Sequence, residues 1–270
     1  MSGMLVGEHG QQPEAVHAAS SLRPSRVDLA LMEARFVDAS GVQRVMPWLQ
    51  AGGELALEEC RPVRDFPVLR GRRIAPGWWW AATSGQMVQY GFGAMRTQVM
   101  MLDRDPQVVA LACRPVELLW RGRGGKVVSH APHLMARLAD GSGLLMDCAS
   151  RSGAGRRLAR RAVQVETAVG VVGWHYRLVG PPAPTVEANV RWLADYRHPR
   201  CAGGLLAHVV ERFQHPTPLV EGVRALGDPI AVWPAVFHAL WSGLLRAPLE
   251  VPLHERVVAV ASSTSAKEHR

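Results

Sequence analysis

The stretch VVSHAPHLMARLADGSGLLMDCA, residues 127–149, decides the fold of this chain. Its first part, 127–131, is short and apolar. Two extended runs, 133–139 and 144–149, then flank the turn signal Asp140–Gly141. Because aspartate followed by glycine favours a tight turn between strands, these residues predict a β-hairpin.

The segments around this hairpin predict how the sheet is completed. A helix is predicted over 155–172, and a returning strand over 174–179. This order is typical of a mixed sheet flanked by helices, so the predicted fold class is α/β (α+β). Residues 60–90 contain many prolines and glycines and are predicted to be irregular. The other elements predicted before residue 127 are a hairpin over 27–48, a helix over 93–103 and a strand over 108–120 with a break at Pro115.

Prolines divide the C-terminal third of the chain. Thr185 is predicted to cap a helix that runs to about Tyr196. A helix over 205–213 follows, and two more are predicted with Pro218 and Pro229 at their first position. Three helices followed by a small ribbon are the layout of a winged helix. The strand-like segments of that ribbon are 244–246, 249–252 and 257–260.

The charge of the chain indicates what it binds. The 270 residues carry a formal net charge of +8, and the sequence pI is about 10.1. All basic residues except Lys126 and Lys267 are arginines, which suit phosphate geometry. The balance favours a polyanionic partner, either nucleic acid or an anionic membrane surface. A GC-rich genome, which replaces lysine with arginine, is an alternative explanation of the bias.

Cysteine spacing and hydropathy restrict the compartment. The four cysteines are far apart and form no CxxC pair, so neither a zinc site nor a disulfide framework is expected. No stretch reaches the roughly 18 apolar residues of a membrane span. Residues 1–21 have no basic region followed by an apolar run, so no signal peptide is expected there. We therefore expect a cytoplasmic protein without a membrane partner.

A series of short phrases runs in order through the chain. They are FP at 66–67, RGRR at 70–73, PGWWW at 76–80, ATSG at 82–85, LDRDPQVV at 102–109, HAP at 130–132, ARLADG at 136–141, GWHYR at 173–177, NVRWL at 189–193, YRHPR at 196–200 and GDPIAV at 227–232. By their order and spacing, the chain resembles the TnsA-like endonuclease subunits of heteromeric DNA transposases. The resemblance covers roughly residues 60–260.

This resemblance implies a domain organisation and partners. A restriction-endonuclease-like domain is expected over 26–200 and a winged-helix domain over 201–262. Separately from the resemblance, the polar, small-residue composition of 1–25 predicts disorder there, and the tail 263–270 is also expected to be disordered. The implied partners are double-stranded DNA at transposon ends, an integrase-type transposase subunit and an ATPase regulator.

The resemblance also implies a magnesium-dependent nuclease site, and the sequence departs from it. The family has a glutamate on a helix, an aspartate after a proline, and an acidic-x-basic motif on the next strand. These positions fall on Met95, His133 and the pair Asp147 and Ala149. Magnesium prefers several oxygen ligands, and only Asp147 supplies one. We therefore expect DNA cleavage to be lost or weakened, with no cofactor if the chain is inactive and magnesium on Asp147 if it is active.

Two other functions are compatible with the sequence. The chain could be an active endonuclease that takes its missing carboxylates from Asp103, Asp105 or Glu117. It could instead be a winged-helix DNA-binding regulator with a vestigial first domain. His133 and Asp147 could form a rebuilt catalytic site, or His133 could simply be a satisfied polar histidine. A metal pair with His130 is not expected, because residues three apart in a strand point to opposite faces.

Two basic segments are candidates for phosphate contacts. Four arginines recur on one side of the helix predicted over 155–172, and a glycine-rich loop precedes the hairpin. A solvated helix face is the alternative for the first group. The predicted DNA-binding residues are Arg121, Arg123, Lys126, Arg156, Arg157, Arg160 and Arg161.

Apolar and aromatic residues give two further expectations. The tryptophans at 78–80 could stack on bases but are expected to lie in the core. The third C-terminal helix would be a recognition helix, with His238, Trp241 and Arg246 exposed. That helix is so apolar that docking to a partner protein is an equal possibility.

Overall fold

The computed structural model describes residues 28–66 and 76–262. The expected disordered ends, 1–25 and 263–270, and the phrase at 70–73 lie outside the described residues. The strands are β1 (Glu33–Val37), β2 (Gln43–Pro47), β3 (Gly77–Ala81), β4 (Gln86–Tyr90), β5 (Val108–Cys113), β6 (Val116–Arg121), β7 (Val127–His130), β8 (Leu134–Leu138), β9 (Gly143–Cys148), β10 (His175–Val179), β11 (Thr217–Pro218), β12 (Leu245–Arg246) and β13 (Val258–Ala261). The helices are α1 (Trp48–Glu54), α2 (Gly93–Asp103), α3 (Arg156–Gly170), α4 (Pro184–Leu193), α5 (Leu206–Arg212), α6 (Leu219–Leu226) and α7 (Pro229–Trp241).

Two four-stranded sheets form the centre of the molecule. The first is antiparallel and has the order β2-β1-β6-β7. The second has the order β10-β9-β8-β5 and is mixed, because β9 and β10 are parallel and the other pairs are antiparallel. The helix α3 connects the parallel pair. The fold class is therefore the predicted one, with mixed α and β content.

The hairpin β8–β9 has the predicted turn. Gly141 has a φ of 86°, which favours glycine, and its amide donates to the carbonyl of Leu138 at 2.9 Å. The Asp140 carboxylate accepts from the Ser142 amide at 2.8 Å. The residue after Ser142 is also a glycine, Gly143, because a Cβ at this position would lie 2.3 Å from the Trp174 ring. This turn fixes the register in which Leu134 pairs with Met146.

Successive residues of the mixed sheet enter two different hydrophobic cores. Leu134, Met146 and Cys148 pack in one core with α2, the β3–β4 hairpin and the C-terminal helices. Met135 and Leu145 pack in the other core with α1, α3 and the first sheet. This alternation follows from the two-residue period of a strand. The mixed sheet is therefore covered on both faces.

The C-terminal residues form three helices and a small sheet. The chain passes in order through α5, β11, α6, α7, β12 and β13, and the sheet order is β11-β13-β12. Trp241 of α7 meets Trp79 at a ring-centroid distance of 6.3 Å. Arg104 donates to the carbonyl of Leu240 at 3.1 Å. Trp79, Leu240 and Trp241 belong to one hydrophobic core, which therefore extends across the predicted domain boundary near residue 200.

Several local expectations were wrong. Residues 77–90, predicted to be irregular, form the β3–β4 hairpin. Residues 249–252, predicted to be extended, form no strand. The helix α4 begins at Pro184 after Ala183, without a side-chain cap, so Thr185 does not cap it. Pro218 precedes α6 rather than occupying its first position.

The three adjacent tryptophans have different environments. Trp79 is buried in the core, as expected for all three, whereas Trp78 is 58% exposed. Trp80 is half-buried and stacks on His198 at a centroid distance of 5.1 Å. Alternation along β3 explains why only one of the three is fully buried.

Candidate functional site

Asp147 lies fully buried near the end of β9. Its Oδ2 accepts hydrogen bonds from His130 Nε2 at 2.6 Å and from the Tyr176 hydroxyl at 2.8 Å. Its Oδ1 accepts from the backbone amide of His133 at 3.3 Å. Both carboxylate oxygens are therefore already bonded to the protein.

The two histidines converge on this carboxylate, contrary to the expectation that they face opposite sides. His130 ends β7, and His133 precedes β8, so Ala131 and Pro132 interrupt the extended chain between them. The alternation argument therefore does not apply. The expected proximity of His133 and Asp147 is confirmed, with His133 Nδ1 at 3.2 Å from Oδ1.

Hydrogen bonding defines the protonation state of His133. Its Nδ1 accepts a hydrogen bond from the Cys148 amide at 2.9 Å, so that nitrogen carries no proton. Burial lowers the pKa of His133 below its ordinary value of 6.5. We therefore treat His133 as neutral, and its contact with Asp147 is not an ion pair.

The other members of the cluster stabilise the negative charge of Asp147. Burial alone would raise the pKa of Asp147, but the hydrogen bonds from His130 and from the Tyr176 hydroxyl oppose it, and the pKa lies below its ordinary value. Burial, with the adjacent carboxylate, raises the pKa of Tyr176 well above its ordinary value. Asp147 is thus an ionised acceptor, and Tyr176 is a hydroxyl donor.

The positions assigned to the nuclease site do not all come together. Asp147 lies between Met146 and Cys148, which face the core that contains Met95. Its own side chain therefore faces the other side of the sheet, towards Tyr176. Met95 is fully buried, and its sulfur accepts from the Gly91 amide at 3.3 Å. Met95 and Asp147 therefore do not form one site.

The side chains present do not fit a magnesium ion. Ala149 is buried and has no ligand atom in its side chain, and Met95 offers only sulfur. The Asp147 oxygens are already bonded, and magnesium requires several oxygen ligands around one point. Within residues 28–66 and 76–262, no group of three or more His, Cys, Asp or Glu side chains could hold a metal ion.

The three carboxylates considered as substitutes each have another bonding role. Asp103 accepts from Trp79 Nε1 at 2.9 Å and from the Thr83 amide at 2.9 Å, and so attaches the β3–β4 hairpin to α2. Asp105 accepts from the Gln107 amide at 2.9 Å in a turn. Glu117 is buried between Arg35 and Arg64.

Three of the four predicted arginines of α3 form an exposed basic face. Arg156, Arg157 and Arg160 are exposed, and no hydrogen bond or ion pair engages their side chains within the described part of the chain. Arg161 differs, because its Nη1 donates to the Ser129 carbonyl at 2.6 Å. Its guanidinium also lies over the Trp120 ring at 5.1 Å. Arg161 thus attaches α3 to β7 and is not a free phosphate ligand.

The predicted basic loop contributes less. Arg121 and Lys126 are exposed, and Arg121 Nη1 donates to the Gly125 carbonyl at 3.3 Å within the loop. The Arg123 side chain lies outside what the structure describes. Gly124 and Gly125 have φ values of 72° and 73°, which suit glycine.

The expected recognition helix α7 is largely buried. His238 and Trp241, predicted to be exposed, are 8% and 2% exposed. His238 Nδ1 bonds to the Tyr196 carbonyl at 2.8 Å. Arg246 is exposed as expected.

The loop between β12 and β13, residues 247–257, is attached to α4 by hydrogen bonds. The side chain of Asn189 in α4 donates to the carbonyls of Leu249 and Val251 at 2.8 and 2.7 Å. Its oxygen accepts from the Leu253 amide at 3.1 Å. These bonds fix the loop against α4, where it is not free to project as a wing.

Sequence reasoning missed Tyr176 and Asn189. Tyr176 reaches Asp147 only because β10 pairs in parallel with β9, a long-range pairing that no local pattern reports. Asn189 lies on a helix, and its partners are backbone atoms of a loop about sixty residues away. Each lies in one of the phrases that carry the resemblance, at 173–177 and 189–193, but those phrases do not indicate its bonding partners.

Comparison of the sequence with protein-family models and with curated proteins finds no match. Among the residues described, no helix has the length and apolar character needed to cross a membrane.

Proposed function

We propose that this chain is a DNA-binding, non-cleaving subunit of a transposase complex, of the TnsA-like kind. Its partners would be transposon-end DNA, an integrase-type transposase subunit and an ATPase regulator, as the resemblance implies. The single observation that carries the non-cleaving part is the bonding of Asp147. This carboxylate has both oxygens engaged by protein donors, and among the described residues it belongs to no group of three or more His, Cys, Asp or Glu side chains that could hold a metal ion.

The order of elements supports the proposed scaffold. The helix α2, the three strands β5, β8 and β9, the helix α3 and the strand β10 form the mixed sheet and its flanking helices. The three helices and three short strands that follow have the order expected of a winged helix. This order supports the expected fold, although its nuclease residues have been replaced.

The first turn of α3 supports a role in binding DNA. Its N-cap, Gly155, makes no side-chain hydrogen bond, and the first turn contains no acidic residue. It contains Arg156 and Arg157, although positive charge is unfavourable at a helix N-terminus. An anionic partner would offset this local cost, and exposed arginines are suited to phosphate. The face therefore fits the backbone of a DNA duplex.

The C-terminal unit favours partner docking over base reading. Its helix α7 buries the side chains that would read bases, and its loop is attached to α4 by Asn189. A winged-helix regulator needs a recognition helix that can enter a groove. The proposal therefore assigns DNA contacts to α3 and protein contacts to the C-terminal unit.

DNA binding is tested by fluorescence anisotropy with the full chain and a labelled duplex over a range of salt concentrations. The variant Arg156→Gln/Arg160→Gln should reduce the slope of log K against log [salt] by about 2, since each phosphate contact contributes about 0.9. The control, Arg200→Gln/Arg224→Gln, removes the same charge at exposed positions elsewhere. Equal effects of the two variants would contradict the α3 interface.

The absence of cleavage is tested with supercoiled plasmid DNA and magnesium or manganese. We expect no nicking above a protein-free control. Metal-dependent nicking that disappears in Asp147→Asn would overturn the non-cleaving part of the proposal. DNA binding by α3 would remain a separate prediction, which only the anisotropy experiment tests.

A further inference from the structure

Three aromatic side chains form much of a cavity of about 230 Å³ in the C-terminal unit. Trp233 and Phe237 lie one turn apart on α7, with ring centroids 4.9 Å apart and planes inclined by 21°. Trp192 of α4 meets Phe237 edge-on at 4.2 Å. The other lining residues are Leu219, Leu240, Leu253, His254 and Glu255.

The wall of this aromatic pocket is fixed in place. Leu253, His254 and Glu255 belong to the loop that Asn189 attaches to α4. The carbonyls of His254 and Glu255 accept from the Val257 and Val220 amides at 3.0 and 2.8 Å. A binding site made of fixed elements loses little entropy when it is occupied.

The lining has the charge distribution that attracts a cation. Aromatic faces carry partial negative charge, and a cation over such a face is stabilised. Glu255 adds a carboxylate whose side chain is 61% exposed and whose oxygen lies 4.0 Å from Arg256 Nε, at the outer limit of an ion pair. No basic lysine or arginine side chain lines the pocket.

Six aromatic rings elsewhere among the described residues are paired with an arginine. Guanidinium groups lie over Tyr90, Phe66, Trp174, Trp120, Trp79 and Trp80. Within residues 28–66 and 76–262, no such group lies over Trp192, Trp233 or Phe237. These three rings contact one another and Tyr196, and no guanidinium of the described residues competes with a cation from another molecule.

The surroundings of the pocket indicate that this cation belongs to a protein. Trp192 is 43% exposed, and Ile230, one turn before Trp233 on α7, is 85% exposed. A free cation would leave these apolar side chains in water, whereas a protein surface would cover them. Arginine anchors inserted among aromatic and aliphatic residues are common at the centres of protein interfaces.

We propose that the aromatic pocket is a docking site for an arginine side chain presented by a partner protein. The guanidinium lies against the rings of Trp192 and Trp233 and pairs with Glu255. Neighbouring apolar residues of the partner cover Ile230. This assignment does not depend on DNA binding by α3.

The proposal is tested by NMR on the full chain, with the indole N–H signals of Trp192 and Trp233 as the readout. The first probe is blocked arginine, N-acetyl-arginine amide, and its control is the blocked citrulline of equal shape and no charge. Only the arginine compound should give saturable shifts. Equal shifts from both compounds, or none from arginine, would overturn the proposal.

Variants identify the groups responsible. Trp233→Leu should weaken arginine binding roughly five- to thirty-fold, the range expected for a cation–π contact. Glu255→Gln should weaken it roughly two- to five-fold without affecting folding, because the carboxylate is exposed. Glu250→Gln, an exposed carboxylate of the same loop outside the lining, should bind as the wild type does. Equal binding by both glutamine variants would remove Glu255 from the site and contradict the proposal.

A second probe distinguishes a protein from a free cation. The peptide acetyl-Leu-Arg-Leu-amide should bind more tightly than blocked arginine, and Ile230→Ser should remove this gain. Equal affinity of peptide and blocked arginine would overturn the assignment to a protein partner. Self-association of the wild-type chain that is lost in Glu255→Gln would also overturn it, in favour of a second copy.

Discussion

Replacement of Asp147 by alanine tests whether this carboxylate is structural or catalytic. The substitution leaves the His130 Nε2–H, the Tyr176 hydroxyl and the His133 amide without an acceptor in a site that excludes water. Removing one partner of a buried charged group costs about 3–5 kcal/mol. Three hydrogen bonds to a charged group, at about 1.5–3 kcal/mol each, would sum to about 4.5–9 kcal/mol, so the range of about 3–5 kcal/mol is the conservative one.

The expected loss is large enough to measure by thermal unfolding. In a chain of this size, 1 kcal/mol changes Tm by roughly 2–4 °C, so Asp147→Ala should lower Tm by about 6–20 °C. Circular dichroism and urea unfolding measure the same change independently. The control, Asp195→Ala, removes an exposed carboxylate that makes no hydrogen bond within the described residues and should leave Tm unchanged.

The opposite result would support a catalytic carboxylate. Active-site groups are often held at a cost to stability, so their removal tends to stabilise the fold. A Tm that stays constant or rises in Asp147→Ala would refute the structural interpretation of the cluster. It would also restore the endonuclease alternative, in which Asp147 binds magnesium.

Three further predictions concern single side chains. The folded-state pKa of His133 lies below 6.5, so the unfolded chain binds a proton before the folded chain does as pH falls. The free energy of unfolding is therefore highest above pH 6.5 and decreases as pH falls towards the folded-state pKa. Urea unfolding midpoints measured on both sides of pH 6.5 should depend less on pH in His133→Gln than in the wild type. Asn189→Ala should destabilise the fold by about 2 kcal/mol and accelerate amide hydrogen exchange at Leu253, which loses its acceptor; unchanged exchange there would contradict the role of Asn189 in holding the loop. Arg161→Gln should lower Tm because it loses the hydrogen bond to Ser129 and the contact with the Trp120 ring. Arg160→Gln should instead lower DNA affinity and leave Tm unchanged. Thermal unfolding measures Tm and fluorescence anisotropy measures DNA affinity for both variants.

Much of the mixed sheet was predictable because its signals are local. The turn Asp140–Gly141 and the apolar runs on either side specify the β8–β9 hairpin. The helix predicted over 93–103 has those same bounds in the structure. The β3–β4 hairpin was missed because its tryptophan run lacks polar alternation and lies among prolines and glycines. Trp79 and Trp78 differ in burial only because a core covers one face of that hairpin.

The candidate site was less predictable because long-range pairing creates it. The register of β8 and β9 was sufficient to place His133 near Asp147. The approach of His130 depends on the interruption of the extended chain at Ala131 and Pro132. That of Tyr176 depends on parallel pairing between β9 and β10. Arg161 illustrates the same limit. Its spacing matches that of the exposed arginines, but its neighbours in space, Ser129 and Trp120, lie on strands of another sheet.

The location of Asp147 explains why its bonds favour a structural role. His130 belongs to the first sheet, whereas Asp147 and Tyr176 belong to the mixed sheet, so this carboxylate joins the two sheets. Arg161 makes a second, similar connection, from α3 to β7 of the first sheet. A hydrolytic centre requires carboxylate oxygens directed at a reacting group, and here they are directed at protein donors from both sheets. The two connections therefore support α3, where the side chains of Arg156, Arg157 and Arg160 are exposed and make no bond to the described residues.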